Sequence, residues 1–116
     1  PPFTFYLLPF TFYLFFYPLS LMRLSQTIHS SIKNRIHQSI PNTDIFLFGS
    51  RVNDFGKGGD IDLLLLTEEK LPLLFLNRIR RLILNDIGEQ KIDLVNFRKS
   101  ENHPFKSLVL ETAVRL

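Results

Sequence analysis

From Leu24 onward, apolar residues recur every four positions, at Leu24, Ile28, Ile32, Ile36 and Ile40, with Gln26, Lys33, Arg35 and Gln38 between them. That spacing predicts one amphipathic helix, capped by Ser25 and stopped by Pro41-Asn42. Ile45-Phe46-Leu47-Phe48 is a short apolar run of strand type, closed by Gly49-Ser50. Gly56, Gly58 and Gly59 make residues 51–59 a loop, with room for one helical turn. Ile61-Asp62-Leu63-Leu64-Leu65-Leu66-Thr67 then reads as a strand buried on both faces. Leucine is a poor strand marker, so the length of the run and its flanks, Gly59 and Glu68-Glu69, carry that assignment. Pro72 opens a helix to about Asn85, with Leu74, Leu76, Ile79, Leu82 and Ile83 inward and Arg78, Arg80 and Arg81 outward. Gly88 lies just past its end. Lys91-Ile92-Asp93-Leu94-Val95-Asn96 predicts a third strand. A last helix starts at Pro104, with Phe105, Leu108, Val109 and Val114 on its apolar face. The order α-β-β-α-β-α gives helices packed on a small sheet, an α/β or α+β domain.

Residues 1–21 obey none of these periods. They carry no charge, all three tyrosines and four of the seven prolines. Pro2-Phe3-Thr4-Phe5-Tyr6-Leu7 returns as Pro9-Phe10-Thr11-Phe12-Tyr13-Leu14, a low-complexity repeat too short for a solenoid. Three readings stand for this head: a non-native or disordered extension, an apolar arm covered by a partner or joined to the core, and a membrane segment. The third is opposed by Pro9 and Pro18, which would kink a spanning helix, and a secretory signal lacks its basic n-region. The single methionine, Met22, stands where ordinary globular sequence begins, so the expected division is an extension over 1–21 and a domain over 22–116.

Composition narrows the chemistry. At 116 residues there is room for one domain. With no cysteine, a disulfide scaffold, a thiolate zinc site and a cysteine nucleophile are excluded, and a cytoplasmic location is expected. His29 and His37, eight apart, form no HxxxH pair, and His103 stands alone, which argues against zinc. A net charge of +3 is compatible with phosphate-bearing ligands but too weak to argue for a nucleic-acid binder.

The informative stretch is Phe48-Gly49-Ser50, nine further residues, then Asp60-Ile61-Asp62-Leu63, with Asp93 in the following strand. Alternate strand residues share a face, so Asp60 and Asp62 are expected to project together, roughly 7 Å apart. Two carboxylates at the mouth of a buried strand repel each other, and no Lys or Arg lies within that strand to pair with them. A hard divalent cation such as Mg²⁺ resolves the conflict. An adjacent strand would bring Asp93 beside them, and three carboxylates can hold two ions. Gly49 admits a close backbone approach by phosphate, Ser50 offers a hydroxyl and an N–H, and Arg51 and Lys57 are candidate charge partners. Taken singly, each piece has a plain structural reading: a turn at Gly49-Ser50, a turn aspartate at Asp60, surface carboxylates at Asp62 and Asp93. Their joint spacing favours the site.

The segment Phe48-Gly49-Ser50-Arg51 … Gly59-Asp60-Ile61-Asp62-Leu63 resembles the signature of the DNA polymerase β-like nucleotidyltransferase superfamily. The short domain is similar to its minimal nucleotidyltransferases, many of them antitoxin partners of HEPN-domain proteins. The resemblance covers residues 24–116. It implies a nucleotidyltransferase fold with a small mixed sheet. It also implies metal binding and catalysis by Asp60, Asp62 and Asp93, and nucleotide binding by Gly49 and Ser50, beside which Arg51 and Lys57 remain the candidate charge partners read from the residues. The implied reaction moves a nucleoside monophosphate, AMP from ATP with two Mg²⁺, onto a hydroxyl of a HEPN toxin. The alternative is an antitoxin that neutralises its partner by contact alone. Nucleic acid and membrane are not expected partners, while a homo- or hetero-oligomer is compatible. The chain departs from the family pattern in having Gly59 before the DxD, where Ser or Asp is usual. Val52, Asn53 and Asp54 stand where a second basic residue is frequent.

Overall fold

The computed structural model describes residues 25–49 and 60–116. The head at 1–21, Met22, Leu24 of the first apolar stripe and the glycine-bearing loop 51–59 lie outside the described residues. The first helix, α1 (Gln26–Ser39), begins where the Ser25 hydroxyl accepts the Ile28 N–H at 3.2 Å, and ends at Ile40 before Pro41. Three strands follow at the expected places: β1 (Asp44–Phe48), β2 (Ile61–Thr67) and β3 (Ile92–Arg98). Between β2 and β3 runs α2 (Leu73–Ile87), with extended Pro72 as N-cap. Gly88, at φ 87°, donates its N–H to Leu84 O at 2.8 Å and closes that helix. A short α3 (Pro104–Leu110) completes the helices, its first turn capped by His103 Nδ1, which accepts the Phe105 N–H at 3.1 Å.

The sheet order is β3-β2-β1-β4. β1 runs antiparallel to β2, whereas β2 and β3 are parallel and joined by the α2 crossover. The added strand β4 (Val114–Arg115) pairs antiparallel with β1. Two residues are too few to leave an alternation signal, and so Val114, expected on the last helix, belongs to this strand instead. Leu74 also departs from expectation. It is 78% exposed in the first turn of α2, while the stripe that packs inward is centred on Leu76, Ile79 and Ile83. Leu108 of α3, expected inward, is exposed, and Val109 does the burying.

Alternation along β1 and β2 sends odd-numbered residues to one face and even-numbered ones to the other. Ile45, Leu47, Ile61, Leu63 and Leu65 meet Ile32 and Ile36 of α1 and Ile79 and Ile83 of α2 in the main core. Leu64 and Leu66 join Phe97 and Val109 in a smaller cluster under α3, edged by Phe46 and Phe48. β2 is thus buried on both sides, as its unbroken apolar run predicts. Arg35 grips Asp86 with two bonds of 2.8 Å while Ser31 donates to the same carboxylate, locking α1 to α2. Buried Asn96 donates to Leu65 O and Thr67 Oγ1 and accepts the Leu71 N–H, which fixes the β2–α2 connection. The Lys106 ammonium is satisfied by the carbonyls of Arg98, Lys99 and Glu101. Among the described residues, no helix is long and apolar enough to cross a membrane.

Candidate active site

One edge of the sheet gathers the residues of interest, because β1 ends there and both parallel strands begin there. Asp62 is registered against Phe48 on one side and against Asp93 on the other. In parallel strands, registered residues project to the same face. Asp62 follows the parity of Leu64 and Leu66, and Asp93 that of Val95 and Phe97, so both carboxylates lie on the α3 face. There they are half-buried.

Gly49 closes the arrangement. At φ 80° its backbone is in the left-handed region, where a side chain costs about 1–2 kcal/mol. A Cβ at this position would collide with Asp62 Oδ2 and stand 3.2 Å from Asp62 Cγ. The backbone therefore passes as close to the carboxylate as a chain can, and only glycine permits it. Phe48, just before it, is held edge-on by Phe105 with ring centres 6.1 Å apart, which fixes the end of β1 against α3. Sequence reasoning did not single out that contact, since nothing in the spacing places α3 over β1.

Asp60 stands one residue before β2 rather than within it. Its Oδ2 lies 3.4 Å from Lys91 Nζ. The cation absent from β2 is thus supplied by the residue preceding β3, a role that the sequence reading missed. Its signal was Lys91 standing two positions before Asp93, hence on the same face. The Asp62 carboxyl is held above the ordinary carboxylate range by burial first, then by the charges of Asp93 and Asp60 and by a hydrogen bond shared with Asp93. Lys91 opposes that shift. A hydrogen bond between two carboxyls needs a proton between them, and a positive charge serves the same purpose. Asp60, Asp62 and Asp93 are hard oxygen donors in mutual repulsion, with a glycine cradle beside them, and this chemistry fits a divalent cation such as Mg²⁺. Among the described residues no three His, Asp or Glu side chains close into a ready metal cage: Asp62 and Asp93 meet, while Asp60 is engaged by Lys91.

Of the seven residues singled out in the sequence, the fold brings Gly49, Asp60, Asp62 and Asp93 to this edge. Ser50, Arg51 and Lys57 lie outside the described residues.

A family profile described as polymerase beta, nucleotidyltransferase matches residues 26–116. No curated protein matches the chain at a significant level. A chain from the solved complex of tri-AMPylated Shewanella oneidensis HEPN toxin with MNT antitoxin is similar in fold, with a TM-score of 0.61 at 20% identity. The similarity covers 79% of this chain and 71% of that one.

Proposed function

Starting from a chain that belongs to the polymerase beta nucleotidyltransferase family, we propose that it is a magnesium-dependent transferase that moves AMP from ATP onto a hydroxyl of a HEPN-domain partner and thereby acts as an antitoxin. The observation that carries this reading is the register Asp62↔Asp93, which sets two carboxylates side by side against the Gly49 cradle. The similar solved complex supports the acceptor class, since its HEPN toxin carries AMP and is bound to an MNT antitoxin.

Asp60, Asp62 and Asp93 are the residues that would hold Mg²⁺, two ions in the full complement. When bound, the metal supplies positive charge that neutralises phosphate oxygens and lowers the pKa of the acceptor hydroxyl. Gly49 lets the triphosphate approach the backbone, with Ser50, Arg51 and Lys57 as its further contacts. The acceptor oxygen attacks the α-phosphorus, the bond from that phosphorus to the bridging oxygen breaks, and pyrophosphate leaves. The hydroxyl proton passes to Asp93. Catalysis is then positioning and electrostatics. The partner brings its own hydroxyl to the rim where Asp60 and Asp93 stand.

A second reading, neutralisation by contact alone, draws on the Lys91–Asp60 ion pair, which satisfies one carboxylate without any metal. ATP labelled on the α-phosphate, with Mg²⁺ and the partner, separates the two. Label on the partner that vanishes in Asp62→Asn supports transfer. Neutralisation that persists in Asp62→Asn without label supports contact.

A further inference from the structure

Lys91 occupies a fixed point beside the carboxylates. Its carbonyl accepts the Ile61 N–H at 3.0 Å, which ties the backbone before β3 to the residue between Asp60 and Asp62. From that anchor its stem reaches Asp60, 3.4 Å away. The Lys91 side chain is 67% exposed and that of Asp60 48%, so the pair forms at the rim, in water, on a stem with four rotatable carbons. Such a pair is weakly held and easily exchanged. Its field also reaches past Asp60 to Asp62, whose charged form it favours against Asp60 and Asp93. Among the described residues, Lys91 thus serves Asp60 by direct contact and Asp62 through its field.

We infer that Lys91 is a resident counter-cation of this site: it engages Asp60 and competes with a divalent metal for it, so that metal binding displaces the ammonium. This rests on the metal-binding reading above. It goes further in assigning a role to a residue outside the carboxylate set and in fixing the sign of that role, since removing this positive charge strengthens metal binding. Displacement also frees the ammonium, within one side-chain length of Asp60, to meet the phosphates of an incoming nucleotide.

The test is a Mn²⁺ titration of the full chain, with free Mn²⁺ read by electron paramagnetic resonance, in wild type, Lys91→Gln and Lys91→Arg. Lys91→Gln is expected to bind Mn²⁺ about two- to fivefold more tightly at low salt, the scale of an exposed ion pair. The gain shrinks as ionic strength rises. Lys91→Arg keeps the charge and stays within about twofold of wild type. In chelator, Lys91→Gln melts below wild type and recovers more on addition of Mn²⁺. Lys91→Gln binding no more tightly than wild type overturns the inference while leaving the metal reading intact. Lys91→Arg binding as tightly as Lys91→Gln also overturns it. Wild type that takes up no Mn²⁺ overturns both.

Discussion

The two faces of the sheet follow different rules. On one, α1 and α2 together cover Ile45, Leu47, Ile61, Leu63 and Leu65, and the carboxylate that joins the two helices is paired: Asp86 is bound by Arg35 and Ser31. On the other, the seven-residue α3 covers only Leu64, Leu66 and their neighbours, and Phe105 and Leu108 stay exposed. There Asp62 and Asp93 face each other as like charges. The contrast extends to their protonation. Asp86 is held well below the ordinary carboxylate range by its bonds to Arg35 and Ser31, whereas Asp62 is held above it. The thick face supplies stability, and the thin face tolerates a destabilising arrangement of the kind chemistry requires.

The sharpest way to break that division is to open the thick face. Leu63→Ala removes a fully buried side chain and is expected to cost about 2–5 kcal/mol, read as a lowered denaturant midpoint with unchanged slope. Asp62→Asn should reverse the pattern: transfer to the partner falls by about a hundredfold or more, while the melting temperature holds or rises because a like-charge contact is relieved. Gly49→Ala combines both penalties. We expect about 1–2 kcal/mol lost to the left-handed backbone, together with lost transfer as the new Cβ pushes Asp62 aside. The pH dependence separates the faces by sign. Asp62, raised in the folded state, penalises stability above its folded pKa, and the penalty is relieved on acidification toward the unfolded value near 3.9. Asp86, lowered, contributes stability above that unfolded value and loses it as pH falls further. Melting curves of Asp62→Asn and Asp86→Asn against pH should each delete one limb. The smallest effect belongs to Leu108→Ala on exposed α3, expected within about 0.5 kcal/mol of wild type.

Much of this was legible before any coordinates. The fourfold isoleucine spacing, Pro72, Gly88 and Pro104 marked the helices and their limits, and the run from Ile61 to Thr67 announced a strand covered on both sides. Within the site, apolar-Asp-apolar grammar at Asp62 and Asp93 placed both in strands, and the fold registers them together. What escaped depended on contacts distant in sequence. β4 is two residues that gain strand form only by pairing with Phe46 and Leu47. Leu74 sits two residues before Leu76, roughly 160° around α2 from it, so it falls outside the stripe of Leu76, Ile79 and Ile83 and stays exposed. Lys91 carries no signal of its own at the start of the third strand segment, and the parallel pairing sets it beside Asp60.

The pairing of β2 with β3 has one more consequence. A shift of β3 by a single residue would carry Asp93 into the layer lined by Ile79 and Ile83 and turn Ile92 outward, so a misaligned molecule would lose its core packing and its carboxylate pair together. Quality control for folding and quality control for chemistry are therefore the same check. A cell that degrades badly packed copies would also be clearing out those whose Asp62 and Asp93 no longer meet.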